Sequence, residues 1–294
     1  MKINQKKVKL KINPTQKHWV GDGFHVYTMF HPAGDMYIHT TPFVMMDFAP
    51  PKHFPPTDQK LGVGEHPHRG FETVTFAFAG EVEHRDSAGG GGIIGTGDVQ
   101  WMTAASGLVH EEFHSREFAK RGGDFEMVQL WVNLPKKDKF TKPRYQGVKA
   151  RQCPLLNPVD GVSLKVFSGD YAGARGPCET FTPINIYDLR FEKKAKFKFE
   201  VDDGTTLIIL NRKGETIIND EVIKEHEIAV FDRKGEEVFI ECEDMAELLI
   251  LNGEPIDEPI VAYGPFVMNT REEIMDAIND FNAGKMGTLV ETYK

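Results

Sequence analysis

The chain has 294 residues, a formal charge of −9 at pH 7 and a pI of about 5.7. Such an acidic balance argues against a broad nucleic-acid-binding surface, and no apolar run approaches the ~20 residues of a membrane-spanning helix. Apolar residues at 40%, charged residues at 27% and a mean hydropathy of −0.37 describe a globular chain, and at ~100–200 residues per domain two domains are expected.

The N-terminus, MKINQKKVKLKINPTQKHW, is basic but has neither the apolar core nor the small-residue cleavage site of a secretory signal. Cys153, Cys178 and Cys242 lie far apart and form no C-x-x-C pair. Neither a disulfide framework nor a thiolate zinc site is expected, and a reducing cytoplasm is the expected location.

In chain order, short apolar runs rich in Val, Ile, Phe and Thr predict strands at Phe24–Phe30, Phe43–Phe48, Glu72–Ala79, Asp98–Thr103 and Met127–Val132. A second series follows at Ile184–Arg190, Ala195–Val201, Thr205–Leu210, Glu227–Phe231 and Leu248–Leu251. Closely spaced strands with turn signals predict an all-β chain of antiparallel sandwiches or barrels. Between the two series, Leu134–Pro154 holds three prolines and many charges, as a linker does. The expected domains are therefore residues 1–140 and 141–294. Residues 72–103 and 205–241 share a loose order of strands and turns, either a weak internal repeat or two unrelated β-rich stretches. One helix is predicted near the C-terminus. Thr270 or Asn269 caps it, Glu273 completes a capping box, Ile274, Ile278 and Phe281 form one stripe, and Gly284 stops it.

Histidines crowd the window His53–His114, and only His226 lies in the second half. In Gly64-Glu-His66-Pro-His68-Arg-Gly-Phe-Glu72, an extended backbone puts both imidazoles on one face, ~7 Å apart along the chain. Both can then turn onto one metal ion; the plainer reading is a pair of surface histidines after Pro55-Pro56. In Gly107-Leu-Val-His110-Glu-Glu112, His110 and Glu112 share a face and Glu111 points away, although such a group is often merely solvated. Jointly, the two pairs can face each other inside one barrel. Three imidazoles and a carboxylate suit Fe(II), Mn(II), Ni(II), Cu(II), Co(II) or Zn(II), and argue against Ca(II). On an octahedral ion they leave two positions open, which favours catalysis or small-molecule sensing over a closed structural site.

Other residues carry plainer expectations. The glycines Gly89–Gly92, with Gly95 and Gly97, precede no helix pattern and read as a barrel loop. His84 and His114 read as solvated surface residues, with spare ligands or proton shuttles as the alternative. Phe76 and Phe78, sharing a face with Glu72 and Val74, read as barrel core or pocket wall. Trp101 reads as core. Arg69 is either a contact for an anionic substrate or an exposed loop charge, and Lys193–Lys198 a solvated strand face.

His66-Pro-His68 followed by Glu72 resembles the first cupin motif. Gly97 and Gly107-x-x-His110 resemble the second, with Ala105 where Pro is usual. More closely, HWVGDGF, EHPHRGFETVTFAFAGEVEHRDS, GDVQWMTAASGLVHEE, LWVNLP and YGPFVMNTREEI resemble the pirin family across nearly the whole chain. The resemblance implies a bicupin, two antiparallel β-barrels with a short C-terminal helix. It implies one metal in the N-terminal barrel, iron foremost, on His66, His68, His110 and Glu112. Glu72 would then sit behind the site, bonding a ligand imidazole. The second barrel would be metal-free, because Phe197-Lys-Phe199-Glu-Val201 stands where H-x-H would fall, and His226 would be a solvated loop residue. The implied activity is a dioxygenase of the quercetin 2,3-dioxygenase type, acting on a small aromatic substrate with O2, with Glu112 as general base. The alternative is a metal- or redox-dependent regulator binding a protein partner, either a transcription co-regulator or a modulator of metabolic enzymes. A storage or vestigial fold without turnover is the third reading.

Overall fold

The computed structural model describes residues 4–32 and 35–289. Strands dominate, and the described residues fold as two units: residues 4–15, 35–42 and 151–255, and residues 16–32, 43–150 and 256–289. This division differs from a single break at 140/141. Arg144–Val148, inside the expected linker, is a strand paired with Val99–Thr103. Val8–Ile12 pairs with Ile228–Phe231 inside the unit that holds residues 151–255, and the chain beyond Ile256 returns to the histidine-bearing unit. Composition marks a polar stretch but not an exchange of strands.

The histidine-bearing unit has two antiparallel sheets. The larger runs Arg144–Val148, Val99–Thr103, Phe71–Ala79, Gly123–Asn133, Phe43–Phe54, Phe24–Phe30, His18–Val20. The smaller runs Gly62–His68, Leu108–His114, Val82–Asp86, Gly91–Ile94. The other unit repeats this order. Its larger sheet runs Val8–Ile12, Ile228–Phe231, Thr206–Lys213, Ala246–Gly253, Ile184–Phe191, Val162–Ser168, Leu155–Val159, and its smaller one Ala195–Glu200, Glu237–Cys242, Thr216–Ile218, Glu221–Ile223. The loose repeat of pattern is thus a repeat of topology, and the architecture is the expected pair of cupin-type barrels.

Alternation along Phe71–Ala79 decides which residues face the site. Thr75 reaches Glu112 inside the barrel, so Thr73 and Thr75 point inward and Glu72, Val74, Phe76 and Phe78 point to the opposite face. Phe76 and Phe78 are therefore buried on the sheet's outer side and neither fill the barrel nor wall its pocket. Trp101 is fully buried on that same side, while its neighbour Gln100 points in toward Glu112. Both faces of Phe71–Ala79 are buried, so burial does not alternate along the strand although its residue types do.

The C-terminal helix spans Arg271–Asn282 with both halves of its capping box formed. It ends at Gly284, φ +72°, where the amides of Gly284 and Lys285 donate to Phe281 O and Asp280 O, each at 2.9 Å. Its buried stripe is Ile274 and Ala277 with partly buried Ile278, packed with Val109, Phe266, Met268 and Met286. Phe281, expected on that stripe, is instead exposed. No helix among the described residues is long and apolar enough to cross a membrane.

Candidate metal centre

Gly62–His68 and Leu108–His114 are antiparallel neighbours, with His66 opposite His110 and His68 opposite Leu108. The two-residue period puts His66 and His68 on one face, and the register brings His110 to them. Ring centroids are 4.2 Å apart for His66 and His110, and 4.8 Å apart for His66–His68 and for His68–His110. One nitrogen of each ring lies within 4.8 Å of the other two.

Hydrogen bonds say which nitrogens face inward. His66 Nδ1 is 2.8 Å from Gly64 O, and His68 Nδ1 is 3.1 Å from Pro265 O. A carbonyl only accepts, so both Nδ1 atoms carry the proton and both Nε2 atoms keep the lone pair. His110 Nε2 is buried and has no protein partner. Burial, reinforced by the neighbouring imidazoles, pushes His68 down to about 3 and His110 well below the ordinary histidine range. These two rings are neutral at pH 7, the form that binds a metal. The donor set and the orphaned Nε2 fit a first-row transition ion. Trp131, 5.3 Å from His68 and 4.4 Å from Phe71 between ring centroids, forms an aromatic wall beside the cluster.

Glu112 belongs to a second, overlapping group with His84 and His110, again within 4.8 Å of one another. Its Oε1 accepts from Gln100 Nε2 and lies 3.2 Å from Thr75 Oγ1, and Gln129 Nε2 donates to Oε2 at 3.4 Å. Of the four expected ligands, three converge directly, and the fourth adjoins them through His110.

Several expectations need correction. Glu72 bonds no imidazole: Thr103 Oγ1 donates to its Oε1 at 2.6 Å, on the sheet's outer face. Its Oε2 is buried without a partner, and burial pushes its carboxyl up to about 7. His84 and His114 are not solvated but buried. The His114 ring packs among Phe54, Phe118 and Phe125 at 4.6, 5.3 and 4.5 Å, and its Nε2 donates to Gly23 O at 3.0 Å. Burial holds it down at about 4, so it is a neutral core residue. His84 touches the site, with Nδ1 3.3 Å from His110 Nδ1 and Nε2 3.2 Å from Asp86 Oδ2. The signal was present, because His84 and Asp86 are themselves an i, i+2 pair. Arg69 is neither loose nor aimed at a ligand. It is buried, donating to Ser106 O at 2.7 Å and to Asp280 at 3.0 Å.

In the other unit, Phe197 pairs with Ile240 and Phe199 with Val238, the places that His66–His110 and His68–Leu108 hold in the first. All four are buried and apolar, so no donor atom stands there. A groove of about 780 Å³ is lined by Lys60, Glu83, His84, Arg85, Glu111 and Phe113 among others; His66, His68 and His110 do not line it. His66, half-buried, marks the cluster's exposed side.

Comparison with known proteins places this geometry. Residues 23–132 match the Pirin family model, and residues 186–287 match the model of the pirin C-terminal cupin domain. A Pseudomonas aeruginosa protein provisionally named quercetin 2,3-dioxygenase is 46% identical over 270 residues, 92% of this chain and 94% of that one. The crystal structure of an Acinetobacter baumannii protein named quercetin 2,3-dioxygenase is 47% identical with a TM-score of 0.94, covering 97% of this chain and 100% of that one. A bacterial pirin from Escherichia coli, solved in complex with nickel(II), shares the fold at 20% identity with a TM-score of 0.63, covering 84% of this chain and 99% of that one. Matched by family models in both of its halves, the chain belongs to the pirin family and is a bicupin.

Proposed function

We propose that the protein is a metal-dependent dioxygenase of the quercetin 2,3-dioxygenase type, opening a flavonol-like ring with O2. The observation that carries this reading is the convergence of the His66, His68 and His110 imidazoles, with His110 Nε2 buried and without a hydrogen-bond partner. The names of the Pseudomonas and Acinetobacter relatives support the activity, and the nickel complex of the Escherichia pirin supports a metal. His66, His68, His110 and Glu112 would hold one ion, Fe(II) foremost, with Mn, Ni, Cu, Co or Zn as alternatives. The ion would supply Lewis acidity and a path for electrons between substrate and O2.

The protein's own residues do the rest. Trp131 and Phe71 offer a flat aromatic surface for an aromatic substrate to lie against. Gln100, Thr75 and Gln129 hold the Glu112 carboxylate in place. The Oε2 atom of Glu112 has the longest of these contacts, 3.4 Å to Gln129, and is the oxygen we assign to take the substrate hydroxyl proton. The buried, reduced cysteines are compatible with work in a cytoplasm.

The test loads metal-free protein with Fe(II), Mn(II), Ni(II) or Cu(II) and follows flavonol loss and O2 uptake. Turnover that disappears together with the metal in His66→Ala, His68→Ala and His110→Ala is the expected result. One tightly held ion with no turnover in any form, or turnover without metal, overturns the assignment.

A further inference from the structure

We infer that His84 and Asp86 form a positioning pair that fixes the tautomer of His110, holding its proton on Nδ1 and its lone pair on Nε2. The inference rests on the metal reading above and concerns two residues that reading does not use.

The argument is one of donor counting. Asp86 Oδ1 accepts from the amides of Ala88 at 2.8 Å and Gly90 at 2.9 Å, which anchors the carboxylate in the hairpin. Its Oδ2 lies 3.2 Å from His84 Nε2. A carboxylate accepts, so His84 Nε2 carries a proton. With that as the ring's one proton, the lone pair of His84 is on Nδ1. That atom lies 3.3 Å from His110 Nδ1, and both rings are buried. Two lone pairs cannot face each other there without loss, so His110 Nδ1 carries the shared proton. His110 Nε2 is left bare toward His66 and His68.

Such a partner is needed at His110 in particular. His66 and His68 use carbonyls of Gly64, at the irregular point of its strand's pairing, and of Pro265, between two short strands. His110 sits in a strand paired on both sides, with His66 and with Asp86 opposite it. The group the structure places at its Nδ1 is a side chain, that of His84. Tyr145 holds His84 in plane, stacked at 5.0 Å and 11°, and also donates to Gln100 Oε1 at 3.3 Å. One tyrosine thus backs both His110 and Glu112. Partners of this kind typically change metal affinity by about 10–100-fold when removed.

The first measurement is a long-range ¹H–¹⁵N correlation spectrum of the histidine rings in metal-free protein. His110 protonated at Nδ1 and His84 at Nε2 is the expected pattern. His110 protonated at Nε2, with His84 protonated at both nitrogens, overturns the inference without any variant. The second measurement is Ni(II) affinity by chelator competition. His84→Leu should weaken it about 10–100-fold, and His84→Gln, whose Oε1 can accept from His110 Nδ1, should restore most of the loss. Unchanged affinity in His84→Leu, or an equal loss in both variants, overturns the pair. If His84→Leu does not fold, the wild-type spectrum and His84→Gln decide. Failure of the wild type to bind Ni(II) would sink the metal reading and leave the tautomer measurement standing.

Discussion

His68 and Pro265 stand 197 positions apart in sequence, yet His68 Nδ1 donates to Pro265 O at 3.1 Å. The hairpin that carries Pro265 is pinned beside the H-x-H strand. Val267 N donates to Arg69 O at 3.1 Å, and Lys139 Nζ donates to both Gly70 O and Val267 O, at 2.6 and 2.9 Å. The last part of the chain therefore sets the tautomer of one metal-facing histidine.

Gly70→Ala tests that link. Gly70 has φ +88°, and a Cβ there would lie 2.1 Å from Val267 O and 2.6 Å from Met268 Sδ. The hairpin must move or the backbone must change region, at about 1–3 kcal/mol. Expected are a lower Tm and at least about tenfold weaker Ni(II) binding. Normal metal affinity at a lowered Tm would show that the Pro265 carbonyl is dispensable.

The carboxylate side has its own test. Gln100→Leu removes the closer of two side-chain donors on Glu112 Oε1 and the acceptor for Tyr145. Leaving such buried groups unpaired costs about 1–3 kcal/mol. Urea unfolding should show that loss, and metal titration should show about tenfold weaker binding. If both match wild type, the Gln100 bond does not hold Glu112.

Glu72 predicts a pH dependence. Its folded carboxyl titrates near 7, above its ordinary 4.5, because burial opposes the charge. The folded chain keeps this proton where the unfolded chain has lost it. This contribution to stability is fully present below pH 4.5 and is lost as pH rises through 7. Glu72→Gln should flatten that part of the profile and raise stability at pH 8, by up to roughly 3 kcal/mol. Urea unfolding of both metal-free proteins at pH 4.5 and pH 8 measures it, and parallel profiles would refute it.

The second barrel should tolerate damage without touching the metal. Phe199 is buried where His68 stands in the first barrel. Phe199→Ala should cost about 3–5 kcal/mol in unfolding free energy, while the metal content per folded chain stays unchanged. A parallel loss of metal would mean that the second barrel governs the site.

The H-x-H face was legible in the sequence because the two-residue period of a strand fixes it before any partner is known. The capping box at Thr270 and Glu273 was legible for the same reason, since both groups lie within one turn. His84 was legible only in part: it forms an i, i+2 pair with Asp86, but that this pair meets His110 depends on Val82–Asp86 lying beside Leu108–His114, a register that no local pattern records. Glu72 was misplaced because the usual rule inverts here: polar Thr73 and Thr75 point into the barrel, toward the metal-facing residues, and the apolar face lies outside. Pro265 could not be seen at all, since nothing in its own surroundings names His68.

The alternating strand Val8–Ile12 adds a consequence for biosynthesis. It leaves the ribosome long before Ile228–Phe231, the strand it will join. Throughout that interval it is an unpaired edge, open to the strands of other nascent chains. Lys9 and Lys11 on its exposed face put charge on that edge and make a stray partner unwelcome. Once the right partner arrives, Lys9 lies 3.4 Å from Asp232 and Lys11 lies 2.8 Å from Glu221. The basic character of the N-terminus is thus a guard for a strand that must wait, and a half-chain cut in the linker would leave that guard with nothing to join.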